Sequence, residues 1–341
     1  MNTRWGTVLT ADEPPALLAA YVAHHLDLGA AEVHLYLDRP DDPGADMLSS
    51  LDGVHVTRCD AAHWSALGGR PQVHVQRQTL NANHAYGRAG TDWLLHSDAD
   101  EYLTGDPDRS LAGVDASIDT VIVPVGERVF AGEELSDDLF HGHVLWAFES
   151  GRAARRVFGP DAKYLLKGMT AHTAGKSFSR VGRNRFVGIH KTKARDANGQ
   201  RDGKAEVPGI TSSDLRLVHF DGMTRLHWAT KLYKKCQSGQ SRAALTKRLR
   251  PHRVAQIDEV LASGGDQDAV IRLHNRLRVF GAEKLGQLAA NGQAEPIRFD
   301  PAAAARRLFP SADLDFAATS FDAVLIAREP DWQASEATRL G

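Results

Sequence analysis

Three carboxylates within four residues, Asp98, Asp100 and Glu101, interrupt the apolar run Trp93-Leu94-Leu95 and are followed at once by Tyr102-Leu103. Acids that close a buried strand in this way leave the core at its carboxyl end, where open α/β sheets place their ligand crevices. Asp98 and Asp100 are two residues apart, so on an extended strand end their side chains point to the same side and can share an ion. Carboxylates crowded at one point repel one another, and a hard divalent cation relieves that repulsion. Magnesium or manganese held by one or two carboxylates completes its shell with water and substrate phosphates. The chemistry expected here is a metal-assisted reaction on a phosphorylated donor, with Mn2+ or Mg2+ as the ion.

The elements that must position these acids are readable from periodicity. Residues 6–10 and 33–38 form apolar strands, and the second also delivers an acid, Asp38, at its end. Between them Leu17, Leu18, Tyr21, Val22, His25 and Leu26 recur at helical spacing behind Pro14-Pro15, and Gly29 closes the helix. Residues 45–52 read as helix, 54–58 as a third strand, and 73–88 as the helix leading into the strand that carries the acids. This β-α-β-α-β-α-β order predicts a mostly parallel sheet with helices on both faces. Beyond it come a strand over 121–125, Gly-rich and basic loops to residue 215 with a mobile loop over 195–204, a strand over 215–220, and basic helices from Arg225 to about Leu288. The tail from Phe299 is Ala-rich and should add one or two short helices.

The 341 residues can bury a full core, and 42% apolar with 25% charged residues is the composition of a globular protein. A formal net charge of −2 provides no global field toward nucleic acid, so none is expected as a partner. The basic cluster Arg242, Lys247, Arg248, Arg250 and Arg253 is read first as a solvated helix face or an oligomer contact, with contact to an anionic surface as the alternative. Two distant cysteines, Cys59 and Cys236, fit a reducing compartment. The amino terminus lacks the pattern of a signal peptide, and no stretch reaches the roughly 18 apolar residues of a membrane span. The expected location is therefore the cytoplasm, with any membrane contact peripheral, at the inner face.

Across residues 5–240 the chain resembles a bacterial glycosyltransferase of the family 2-like group that carries a WLLxxDADE(F/Y)L signature. That group lies in the GT-A superfamily of nucleotide-sugar-dependent transferases and is similar to the family 92 enzymes. The resemblance rests on Thr10 and Glu13 at the first strand, Tyr21-Val22-Ala23-His24-His25 with Leu28-Gly29, Leu35-Tyr36-Leu37-Asp38, and Arg77-Gln78 with Asn81. It continues through Trp93–Leu103, Ala174-Gly175-Lys176, Gly188-Ile189-His190, and Leu217–Asp221 followed by Trp228 and Lys231. Ser97 departs from it, standing where a large apolar residue is usual. The resemblance implies a GT-A fold (a Rossmann-like, mixed, mostly parallel sheet) over residues 1–240, with residues 241–341 as a helical carboxyl-terminal extension.

It further implies Asp100 as metal ligand, Asp98 touching ribose or an outer water of the ion, and Asp38 touching the base or ribose. His219, and less strongly His190, become candidate imidazole ligands, a donor that suits manganese better than magnesium. Thr10, Glu13, Arg77, Lys176 and Lys231 join Asp38 and Asp98 as candidates for holding the donor, with Lys234 and Lys235 nearby on the same helix. A general base that deprotonates an acceptor hydroxyl is sought first at Asp221, then at Glu149 and Asp137-Asp138. The expected activity is transfer of a hexosyl or related sugar from a nucleotide-sugar donor, with a UDP-sugar favoured, to a carbohydrate or glycolipid acceptor in surface polysaccharide or glycoconjugate synthesis. The alternatives are a nucleotidyltransferase or phosphohydrolase using the same acids, and an inactive sugar-nucleotide-binding module. Against the first alternative, the loop after the first strand, Thr10-Ala11-Asp12-Glu13-Pro14-Pro15, is acidic and Pro-rich where a phosphate loop is Gly-rich and basic.

Overall fold

The computed structural model describes residues 3–132, 136–236, 249–263 and 266–328. Lys234 and Lys235 fall where side chains are not described, and Arg242, Lys247 and Arg248 lie outside the described residues. The chain forms two compact units, each discontinuous in sequence. The first comprises residues 1–125, 174–217 and 300–314, and the second 126–173, 218–299 and 315–341. These packing units do not follow a boundary at residue 240.

The first unit is a doubly wound α/β layer. Its strands are β1 (Trp5–Ala11), β2 (Glu32–Leu37), β3 (Val54–Arg58), β4 (Trp93–His96), β6 (Thr120–Val123), β9 (Lys176–Arg180) and β13 (Gly209–Thr211). They form a seven-stranded sheet in the order β13-β6-β9-β4-β1-β2-β3. β1 is parallel to both β2 and β4, and β2 is parallel to β3, while β9 runs antiparallel between β4 and β6. The expected α/β fold is therefore present, with a parallel block of four strands and one reversed strand inside the sheet. Every residue of β1, β4 and all but the first of β2 is buried, which is why these segments read as unbroken apolar runs.

The connecting helices α1 (Pro15–Asp27), α2 (Ala45–Ser49), α3 (Ala61–Ala66) and α4 (His74–Tyr86) follow in turn. α3 is not evident from periodicity, being a single short turn capped by Asp60, whose Oδ1 accepts from the His63 amide at 2.8 Å. Gly29 has φ +102°, the left-handed closure expected after α1. β1 has β2 on one side and β4 on the other, so the chain reverses its direction of winding at β1. The carboxyl ends of β1, β2 and β4 share one edge, and that edge is the topological switch point of the sheet. The segment 195–204 is a tight hairpin joining β11 (Thr192–Arg195) and β12 (Arg201–Asp202), with Asp196 Oδ1 accepting from the amides of Asn198 and Gln200. The Ala-rich tail supplies helix α11 (Pro301–Leu308) to this same unit, and Arg307 pairs there with Asp27.

In the second unit β7 (Val125–Ala131), β8 (His143–Trp146) and β16 (Ala294–Pro296) form an antiparallel ribbon, with β15 (Val279–Phe280) parallel to β7. Around a core that includes Phe158, Tyr164, Trp228, Leu232, Leu273 and Phe280 pack α6 (Gly151–Phe158), α7 (Arg225–Cys236), α8 (Pro251–Ala262), α9 (Gln267–Arg278) and α10 (Ala282–Ala290). No helix among the described residues is long and apolar enough to cross a membrane.

Candidate functional site

The acids of the first unit lie in a turn rather than on a strand end. β4 stops at His96, and the next strand, β5 (Glu101–Thr104), begins only at Glu101. The turn closes on itself: the Glu101 amide donates to the Asp98 carbonyl at 3.0 Å, and Glu101 Oε2 accepts from the Asp98 amide at 2.8 Å. The period-two expectation that Asp98 and Asp100 point the same way therefore does not hold as derived, because it assumes extended backbone between them.

Lys176, the first residue of β9, organises this turn. Antiparallel pairing sets Leu95 opposite Phe178, which brings the start of β9 alongside Ser97 and Asp98. Its ammonium is fully buried, 2.7 Å from Asp98 Oδ2 and 3.1 Å from Glu101 Oε2. Burial lowers the tendency of Lys176 to hold its proton, but the two carboxylates outweigh it and keep the proton bound well above the ordinary lysine range. Burial likewise raises the Asp98 carboxyl, and the Lys176 charge overrides this, holding it well below the usual carboxylate range. The second oxygen of Asp98 accepts from Gln78 Nε2 at 2.6 Å. Both Asp98 oxygens are thus engaged by protein donors. Asp100, at the apex of the turn, is 7% exposed.

At the carboxyl end of β2, Asp38 is held as tightly. Arg77 places Nε at 2.9 Å and Nη2 at 2.7 Å from Asp38 Oδ2, Arg70 reaches Oδ1 at 3.0 Å, and His74 Nδ1 lies at 3.8 Å. Burial raises this carboxyl too, yet His74 and the bonds from Arg77, with the arginine charges, hold it well below the ordinary range. Asp38 and Arg70 line a cleft of about 810 Å3 with Pro40, Cys59, Asp60 and Trp64. Burial pushes the Cys59 thiol up to about 12, so it is no nucleophile near neutrality. Arg70 and His74 carry no separate signal in the sequence, because they reach Asp38 only through the loop after α3 and the start of α4.

Other predicted residues of the first unit fall around this edge. Thr10 is buried and accepts from Asn81 Nδ2 at 3.0 Å, which makes it a packing hydroxyl between β1 and α4. Glu13 is half-buried, and its Oε2 accepts from the Asp12 amide at 2.8 Å. His190 is half-buried with its Nδ1 donating to the Gly175 carbonyl at 3.0 Å. His96, unremarkable in the sequence, is buried beside the turn and donates from Nδ1 to the Gly188 carbonyl at 3.0 Å. Burial, then the Lys176 charge, lowers it to about 4, so it is neutral at pH 7.

In the second unit Asp221, the first candidate for the general base, lies among cations. Asp221 is 4% exposed, with Arg253 at 2.9 Å, Arg278 at 3.7 Å and Lys231 at 3.8 Å. Burial raises its carboxyl, and Arg253 foremost, with Lys231, overrides that to hold it well below the carboxylate range. Through these three cations Asp221 ties α7, α8 and α9 to the end of β14 (Arg216–His219). Lys231 belongs to that cluster. His219 is buried and stacks on His172 at 5.4 Å between ring centroids. Glu149 is exposed and lines a cleft of about 400 Å3 with Arg156 and Lys284. Asp137 and Asp138 cap local backbone: Asp137 accepts from the Thr319 amide and Asp138 from the Phe140 amide, both at 2.9 Å.

No family model matches the chain, and no curated protein sequence matches it. Among solved structures it is similar to S. aureus TarS 1–349 (11% identity, 80% of this chain and 72% of that one, TM-score 0.30). It is also similar to the galactosyltransferase LgtC in complex with donor and acceptor sugar analogs (16% identity, 51% of this chain and 57% of that one, TM-score 0.24). A third is a nucleotidyl transferase from Methanothermobacter (17% identity, 37% of this chain, TM-score 0.26), of which this chain spans 64%.

Proposed function

We propose that this chain is a metal-dependent glycosyltransferase that moves a sugar from a nucleotide-sugar donor to an acceptor hydroxyl. The observation that carries the reading is the acid turn Asp98–Glu101 at the carboxyl end of β4, on the same sheet edge as Asp38 and the cleft beside it. A nucleoside fits the chemistry of that cleft: Asp38, Asp60 and Arg70 line it with polar groups, and Trp64 and Pro40 supply apolar surface. The oxygen donors of the turn suit magnesium or manganese. Asp100 would hold the ion, with Asp98 bonded to Lys176 and Gln78 beside it. When bound, the ion supplies neutralisation of the charge that grows on the leaving diphosphate. Asp98, Glu101 and Lys176 set the shape of the turn and hold Asp100 at its apex. The bond that breaks joins the anomeric carbon to the diphosphate oxygen, the bond that forms joins that carbon to the acceptor oxygen, and the acceptor's hydroxyl proton passes to solvent.

The test is a thermal-melting series with UDP, GDP and CMP, each with and without manganese. A manganese-dependent rise with one nucleotide is the expected result, through preferential binding to the folded state. No shift with any of the three overturns the reading. Product analysis separates it from nucleotidyl transfer: sugar transfer releases a nucleoside diphosphate, and nucleotidyl transfer releases pyrophosphate.

A further inference from the structure

At the opposite end of β2 from Asp38, three metal-ligating side chains converge. Glu32 and His34 are two residues apart on β2 and so share a face, and parallel pairing sets His34 directly beside His55 of β3. The donor atoms of Glu32, His34 and His55 lie within 4.8 Å of one another. The two imidazoles stack at 4.8 Å with an interplanar angle of 26°, and His34 Nε2 is 2.9 Å from Glu32 Oε2.

We propose that Glu32, His34 and His55 form a transition-metal site of the zinc type. Two imidazole nitrogens and a carboxylate oxygen are the donor set of open zinc sites, which leave a fourth position to water. A tetrahedral ion with bonds near 2.0–2.2 Å spaces its donors about 3.4 Å apart, so rotation of His55, the exposed member, closes the set. The two inner ligands are already oriented. The side chains of His34 and Glu32 are 8% and 12% exposed, and both Glu32 oxygens accept from the Gly90 amide at 3.1 Å. A Cβ on residue 90 would meet Glu32 Oε1 at 2.7 Å, so a side chain there would make the carboxylate shift. His34 is buried on β2, with its ring held against Glu32. Arg88, exposed at the end of α4, is the facing cation that limits affinity. For Nε2 to ligate, the proton that His34 donates to Glu32 moves to Nδ1, so the ring stays a neutral imidazole and its Nε2 lone pair faces the metal. The ion would tie edge strand β3 to β2. Glu32 and Asp38 are separated by the length of β2, about 20 Å at ~3.3 Å per residue, so this site is distinct from the acid turn.

The test uses the full chain, stripped with chelator and titrated calorimetrically with Zn2+, beside His55→Ala and the double variant Asp98→Asn/Asp100→Asn. Expected are one tight equivalent in the parent and in the double variant, and loss of that equivalent in His55→Ala, whose melting temperature in chelator matches the parent. Cobalt gives a second readout: visible absorption of a four-coordinate ion in the parent, absent in His55→Ala. Unchanged zinc binding in His55→Ala, or loss of it only in the double variant, overturns the proposal.

Discussion

Lys176 is the residue on which the acid turn depends most. Replacing it with methionine leaves Asp98 and Glu101 facing one another without their shared cation. Breaking a buried charge pair from one side costs about 3–5 kcal/mol, and urea unfolding of Lys176→Met should show a loss of that order. Asp100→Asn is expected to behave differently, keeping its melting temperature in chelator while losing the manganese-dependent rise with nucleotide. If that rise persists, Asp100 is not the ligand. Arg77→Lys keeps a charge beside Asp38 but loses the two-nitrogen grip on Oδ2. It should weaken nucleotide binding by about tenfold, measured by titration, with Arg70 still in place. The acids themselves were legible from Trp93–Leu103, because no apolar strand carries three carboxylates without a reason. The commitment of Asp98 to Lys176 was not, since it arises from the pairing of two strands 80 residues apart in sequence.

At the scale of elements, the small hydroxyl side chain of Ser97 has a physical account. Tyr21 on α1 shares its hydroxyl with Thr7 of β1 and Ser97 after β4, each at 2.5 Å, inside a fully buried site. A large apolar side chain at 97 would displace this network, and the hydroxyl would then lose a partner. Tyr21→Phe should cost about 1–2 kcal/mol, and Ser97→Ala less, because Tyr21 retains Thr7. A double-mutant cycle in urea checks the coupling, and strictly additive losses would contradict the shared network. Gly175, which precedes Lys176, has φ +65°, and a Cβ there would meet the Val123 carbonyl oxygen at 2.2 Å. The Gly-Lys pair is thus a single device: the glycine permits the backbone path that delivers the lysine.

At the scale of the molecule, 16 histidines make acidification the relevant perturbation. Burial lowers His24 and His96 to about 4 each, against about 6.5 in an unfolded chain. Between these values the unfolded chain binds protons that the folded one does not, so stability falls as pH drops from about 6.5 to 4. Asp322 opposes this: burial raises it to about 6, so its contribution is lost as pH rises through 6. Two histidines outweigh one aspartate, and the urea midpoint should be lower at pH 5 than at pH 7. A flat profile in that interval would contradict the burial of both imidazoles.

What the sequence by itself determined was the α/β layer and its chemistry-bearing edge. Apolar runs that end in Asp38 and in Asp98–Glu101 can be satisfied only by strands buried on both faces with their acids at the rim. Only the tertiary structure decided which carboxylates are bound by protein donors. Lys176 and Gln78 bind both oxygens of Asp98, while Arg253, Arg278 and Lys231 surround Asp221. It also decided that Glu32, His34 and His55 meet, through the register of β2 on β3. The physical reason is common to all three: a side chain's charge state and availability are set by neighbours brought in through strand pairing and helix packing, and local sequence does not encode their distance.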